Sequence, residues 1–156
     1  MKVVIDKYLS VLLIVLMTLM TLDVLWGVFT RYVYGNQADW SEELAKFLLI
    51  WVGLLGAAYA SGQKLHLTID LVTDSLSPQG QKRLLYFINV LVIIFAFSVL
   101  IVGGGNLIYI TNILGQTSPA LQLPMYLVYM AIPISGILVV TYRCLDISMS
   151  LSLIHI

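Results

Sequence analysis

Residues 84–142 read LLYFINVLVIIFAFSVLIVGGGNLIYITNILGQTSPALQLPMYLVYMAIPISGILVVTY, 59 positions without one Asp, Glu, Lys, Arg or His. A helix that crosses a bilayer needs about 20 predominantly apolar residues. The stretch is therefore long enough for two crossings with a turn between them. Thr111 to Gln122 is the divider, because it is the polar part and because Pro119 and Pro124 both oppose continuous helix. The expected spans are residues 84–110 and 124–145.

Toward the N-terminus the same reading gives two more. Tyr8 to Thr30 supplies 23 residues interrupted only by Asp23. Lys2 and Lys7 precede this run as they would precede a secretory signal. The run exceeds the roughly 7–15 apolar residues of a signal peptide, and no small-x-small cleavage site closes it, so it reads as an uncleaved span over 8–30. Arg31 to Trp40 is a polar loop with a Gly35-Asn36 turn signal, and a second span follows over 42–61 with Lys46 as its one basic residue. The fold class expected is an all-α integral membrane protein with four transmembrane helices. Composition agrees: 60% of the 156 residues are hydrophobic and 10% charged, where a soluble domain carries roughly a quarter charged. Net charge is zero and no basic run exists, so nothing would draw nucleic acid. The single cysteine, Cys144, allows no internal disulfide and no thiolate metal cluster.

Spans two and three are joined by a polar segment. His66, Asp70, Thr73, Asp74 and Ser77 recur at three- and four-residue spacing, with Leu65, Ile69, Val72 and Leu76 on the other side. This periodicity predicts a short amphipathic helix over 65–77 lying at the membrane surface and ended by Ser77-Pro78. The alternation from Leu65 to Leu71 would also suit a strand, but an open strand edge against lipid leaves backbone groups unpaired. Residues 1–147 then make a single four-helix membrane domain, and the tail 148–156 matches nothing interpretable.

Basic residues set the expected orientation. Lys2, Lys7, Lys64, Lys82, Arg83 and Arg143 lie on the side of the termini, with Arg31 and Lys46 opposite. Six against two places both termini in the cytoplasm, and both hairpin loops face outward.

Few residues could carry chemistry. Asp23 lies inside the first span, where an unpaired carboxylate costs a few kcal/mol. It reads either as a partner for Lys46, about one turn into the antiparallel second span, or as an ion or proton site. Asp39-Trp40-Ser41-Glu42-Glu43 opens the second span: Asp39 as N-cap with Glu42 three residues on is a capping box, and Trp40 suits the interfacial aromatic belt. Glu42 and Lys46 stand at i, i+4, and Arg31 across the loop is the expected partner of Glu42 or Glu43. His66 and Asp70 are one turn apart, which is too few ligands for zinc but suits a polar face or a docking contact. Gly53, Gly56, Ala57 and Ala60 share one face of the second span, as close helix packing requires. Gly103-Gly104-Gly105 and Pro133 are candidate kinks. The chain carries no Gly-rich phosphate loop, no nucleophile with a base and no metal cluster, so neither an enzyme nor a cofactor is expected. Glu42-Glu43 resembles the start of an intramembrane CAAX-type protease motif, but Phe47 stands where that motif has Arg.

Arg31-Tyr32, then Trp40-Ser-Glu-Glu-Leu-Ala-Lys-Phe47, Trp51-Val-Gly-Leu-Leu-Gly56 and His66-Leu-Thr-Ile-Asp70, resemble the small (DctQ-like, Q) membrane subunit of tripartite ATP-independent periplasmic (TRAP) transporters. Thr117-Ser-Pro-Ala-Leu121 and Ala131-Ile-Pro-Ile134 add to the likeness, which covers about residues 5–147. The resemblance implies a bacterial inner-membrane subunit that braces a large elevator-type permease subunit. That pair would be supplied by a periplasmic binding protein and driven by an ion gradient, with sodium sites on the large subunit. Implied substrates are organic acids such as sialic acids and C4-dicarboxylates. Arg31, Glu42, Glu43 and Lys46 would then fix the outer end of the first hairpin, with His66 and Asp70 anchoring the cytoplasmic segment. The rival reading is a self-sufficient four-helix proton-coupled exporter that uses Asp23.

Overall fold

The computed structural model describes residues 2–36, 38–63 and 78–152. Among them are four helices long and apolar enough to cross a membrane: Lys2–Tyr34, Asp39–Gly62, Arg83–Ile113 and Met125–Ile147. The first two are unbroken helices, α1 (Lys2–Tyr34) and α2 (Asp39–Gly62). The third crossing comprises α3 (Pro78–Phe95), a π-helical stretch Ala96–Gly103, and α4 (Gly104–Ile113). The fourth comprises a short α5 (Met125–Tyr129) and α6 (Ala131–Ser152). The four-span architecture and the turn near Pro119 hold. The expected surface helix over 65–77, with His66 and Asp70, lies outside the described residues.

The helices overrun the apolar stretches that predict them. α1 has 33 residues, about 50 Å at 1.5 Å per residue, against a hydrocarbon core of about 30 Å. Helical hydrogen bonding does not stop where hydropathy falls. It continues through the Lys2–Lys7 and Arg31–Tyr34 flanks until Gly35 adopts a positive φ of 79°. At the other end α6 runs on to Ser152, into the expected tail.

α2 and α6 form the centre of the bundle. α1 packs along α2, α2 along α6, and the π stretch along α6. The core holds Leu9, Leu55 and Tyr142, with Trp51, Ile134 and Leu138 packed around them. Most other apolar side chains point outward: Leu25 is 60% exposed, Ile94 62% and Phe97 57%. That pattern is unfavourable in water and natural in lipid, where the exterior has no reason to be polar. Hydroxyls on the lipid side are satisfied within their own helix, as when Thr18 donates to the Ile14 carbonyl and Thr21 to that of Met17, each at 2.8 Å.

Glycines set the close crossings. A Cβ on Gly62 would lie 2.6 Å from the Tyr142 ring; one on Gly136 would lie 2.7 Å from Leu100 Cβ and 3.3 Å from the Ala96 carbonyl oxygen; one on Gly104 would lie 2.8 Å from Ile132. The Gly103–Gly105 run therefore does not break the third span. Gly104 admits the fourth, directly after the widened π stretch. Pro133 does mark a discontinuity. It lacks the N–H that would bond to the carbonyl of Tyr129, and α5 gives way to α6 at Met130.

Candidate functional site

Polar groups gather at the two ends of the bundle. At the loop end, Ala38 and not Asp39 precedes α2, with no side-chain cap. The Ala38 carbonyl accepts from the backbone N–H groups of Ser41 and Glu42 at 3.0 and 3.4 Å, while its own N–H donates to Thr30 Oγ1 at 3.4 Å. Anchoring by α1 starts the helix one residue early, so Asp39 becomes the first helical residue and the expected capping box does not form. The Ser41 hydroxyl, buried, donates to the Asp23 carbonyl at 3.1 Å and pins the hairpin.

Asp23, Gly27 and Thr30 share the buried face of α1 that meets α2. Both Asp23 carboxyl oxygens are buried, with no hydrogen-bond partner among the described residues. Lys46 does not reach them. Its ammonium bonds Glu42 at 2.6 Å, and both side chains stay outside, 64% and 58% exposed. Helix geometry gives the reason: Ser41 faces α1, and Lys46, five positions on, is turned about 140° away.

Glu43 does not pair with Arg31 either, since two positions beyond Ser41 it is rotated about 200° from α1. It reaches the loop before α5. One carboxylate oxygen accepts the Ala120 N–H at 3.1 Å and the other the Leu121 N–H at 2.9 Å. That loop is bound to itself. Ser118 N–H donates to the Leu123 carbonyl at 2.9 Å, Met125 N–H to that of Gln116 at 2.9 Å, and Leu123 N–H to Ser118 Oγ at 3.3 Å. Gln122 takes a positive φ of 52° to close it. A polar cleft of about 330 Å³ lies here, lined by Asp39, Glu42, Glu43, Lys46, Pro119 and Ala120. Arg31 is exposed and forms no ion pair among the described residues; Trp40 is 43% exposed beside them.

The opposite end joins all four crossings. Lys2 pairs with Asp146 at 3.2 Å, so the start of α1 and the end of α6 lie on one side. The Tyr142 hydroxyl donates to Asp6 at 2.6 Å. Arg143, 4% exposed, donates to Ser61 Oγ at 2.7 Å and Asn89 Oδ1 at 3.2 Å, linking α6 to α2 and α3. Sequence reasoning used Arg143 only as a charge to be counted. The signal it passed over is Asn89, an amide within the first two turns of an apolar run, which needs a partner there.

These groups hold helices to one another. The remaining two clefts described, at the α1–α2 face, have wholly apolar linings. Among the described residues no three of His, Cys, Asp and Glu stand close enough to hold a metal ion.

Comparison with known proteins gives a consistent picture. The family described as tripartite ATP-independent periplasmic transporters, DctQ component, matches residues 19–149. A TRAP transporter small permease protein assigned in Haemophilus influenzae is 32% identical over 135 residues, 86% of this chain and 82% of that protein. The C4-dicarboxylate TRAP transporter small permease protein DctQ of Rhodobacter capsulatus is 32% identical over 115 residues, 73% of this chain and 49% of that protein. The isethionate TRAP transporter permease protein DctMQ of Oleidesulfovibrio alaskensis is 30% identical over 119 residues, 75% of this chain but 19% of that longer protein.

Proposed function

The chain belongs to the DctQ component family of tripartite ATP-independent periplasmic transporters, and from that premise we propose that it is the fixed brace of a two-part permease. In this reading it sits in the bacterial inner membrane with both termini cytoplasmic. It holds a large elevator-type permease subunit that takes up an organic acid, such as a sialic acid or a C4-dicarboxylate, on a sodium gradient. A periplasmic binding protein delivers the substrate to the pair. Arg31, Trp40, Glu42, Glu43 and Lys46 form the outer rim, and His66 and Asp70 anchor the cytoplasmic segment. Relatives named for C4-dicarboxylate, sialic acid and ectoine transport support the organic-solute class without choosing within it.

One observation carries the brace reading. The buried or bonded polar groups join one part of the chain to another: Glu43 ties α2 to the 118–124 loop, and Arg143 ties α6 to α2 and α3. A carrier instead needs several polar groups converging on one cavity. The face of α2 opposite its core is open among the described residues, where a Cβ on Gly53 or Gly56 would meet nothing within 4 Å. That is the kind of surface a second helix can approach closely.

The buried, unpartnered Asp23 favours the rival reading, a self-sufficient proton-coupled exporter. Reconstitution separates the two. The brace reading expects uptake in liposomes only with the large permease subunit and the binding protein present. Transport by the chain alone, abolished by Asp23→Asn, would sink it.

A further inference from the structure

Beyond Met20 the first helix meets the bundle along a thin line. From Thr21 to Tyr34, Asp23, Gly27 and Thr30 are buried and every other position is exposed. The three lie four and three residues apart, on the side of α1 that packs along α2. No large apolar side chain is among them. Two hydrogen bonds hold this half of α1: the Ser41 hydroxyl donates to the Asp23 carbonyl at 3.1 Å, and the Ala38 N–H to Thr30 Oγ1 at 3.4 Å. Within the seam Asp23 is 7% exposed, and neither of its carboxyl oxygens has a hydrogen-bond partner among the described residues.

We propose that Asp23 carries a proton taken up from solution while the hairpin is closed, and that this proton latches the outer half of α1 to α2. The charged groups described at this end are turned elsewhere. Lys46 and Glu42 hold each other at 2.6 Å on the exposed side of α2, Glu43 binds the Ala120 and Leu121 N–H groups, and Asp39 and Arg31 are exposed. Ser41 donates to the main-chain carbonyl and so offers the carboxyl nothing. Met20, one turn back on α1, and Leu44 and Ala45, one turn on from Ser41 in α2, are half-buried and uncharged. An ionised carboxylate buried without a partner is among the costliest groups a fold can hold. A proton removes that charge and needs no further ligand, whereas a metal ion needs several. The latch follows from the thinness of the seam. Once the proton leaves, the charge reaches water by parting α1 from α2 over Asp23 to Thr30, where two hydrogen bonds and no large apolar contact resist. The other half of α1 stays anchored by the core around Leu9, Leu55 and Tyr142 and by the Lys2–Asp146 pair. No proton crosses the membrane in this scheme, so the latch stands apart from both readings above.

The sign of the pH effect follows from proton counting. The closed hairpin binds one proton more than the open one, whose carboxyl ionises like any exposed aspartate, so closure is favoured at low pH and lost as pH rises. The ratio of open to closed should rise about tenfold per pH unit, or about 100-fold from pH 6 to pH 8. The test uses the full chain in phosphatidylcholine nanodiscs, with Cys144→Ser and nitroxide labels at Val33→Cys and Leu49→Cys, both exposed positions. Electron spin resonance then reads the separation of α1 from α2. A single distance is expected at pH 6, with a longer component growing toward pH 8. Asp23→Asn keeps the shape and cannot ionise, so it should hold the single distance throughout. Infrared absorption should show a carboxylic acid C=O stretch at pH 6 that Asp23→Asn lacks. Absence of that band in the parent overturns the proposal. So does a distance that ignores pH, or one that responds equally in Asp23→Asn. Closure driven by sodium at fixed pH overturns it too, because a metal ion would then hold the carboxyl. The parent's own pH series involves no change at residue 23, so the latch stays testable even where Asp23→Asn does not fold.

Discussion

Gly62→Ala is the sharpest probe of how closely α2 and α6 approach. The new methyl would lie 2.6, 2.7 and 2.8 Å from Cε1, Cδ1 and Cζ of Tyr142, where carbon atoms prefer about 3.5–4.0 Å. The ring must retreat by about 1 Å, the difference between those separations. It cannot do so freely, because its hydroxyl is bonded to Asp6 at 2.6 Å and the side chain is fully buried. Overpacking costs about 1–3 kcal/mol. Weakening a bond to a charged acceptor adds up to about 1.5–3 kcal/mol, and the better helix propensity of Ala returns up to about 1 kcal/mol. The net loss is about 3 kcal/mol, which for a chain of this size lowers the melting temperature by about 6–12 °C. Thermal unfolding in detergent, followed by circular dichroism, measures it directly. In a Tyr142→Leu background the same substitution should fall within about ±0.5 kcal/mol, since the obstructing ring is gone. Melting of Gly62→Ala together with the parent, or an unchanged cost without the ring, would refute a close α2–α6 approach at this position.

Four further outcomes are expected. Glu43→Gln keeps one acceptor oxygen where the carboxylate has two, so hydrogen exchange should speed up at Ala120 and Leu121 and remain unchanged in the middle of α1. Gly136→Ala should destabilise the fold by about 1–3 kcal/mol, because its Cβ meets Leu100, Ile101 and the Ala96 carbonyl oxygen. Gly56→Leu should leave the melting temperature of the isolated chain within about 2 °C but reduce co-purification of the large permease subunit, if the open face of α2 receives that subunit. Lys46→Met should cost at most about 0.5 kcal/mol in the same melt, as an exposed i, i+4 pair contributes little.

Hydropathy carried most of the fold. The uncharged stretch from Leu84 to Tyr142 requires two crossings in any membrane-bound chain of this length, and Pro119 with Pro124 locates the turn between them. Sequence was silent where rotation about a helix axis decides the contact. Asp23 and Lys46 agree in depth along antiparallel spans, yet they face different sides of α2, and depth alone cannot detect that. Arg31 and Glu43 differ in the same way. The true partner of Glu43 is a pair of backbone N–H groups 77 and 78 residues away, and backbone donors look alike in every sequence. Small residues divide in the same way. The stripe at Gly53, Gly56, Ala57 and Ala60 is visible in sequence, yet a Cβ on Gly53 or Gly56 meets nothing among the described residues, while Gly62, Gly136 and the middle glycine of the Gly103–Gly105 run admit the neighbouring side chains.

The ion pair between Lys2 and Asp146 brings the beginning of the first helix and the end of the last to one face of the bundle. A unit built this way is neutral in parity: polypeptide enters and leaves on the same side of the bilayer. Whatever is joined after α6 starts on the side from which α1 starts, so such a unit can be fused ahead of a membrane protein whose own first residue lies on that side without inverting it.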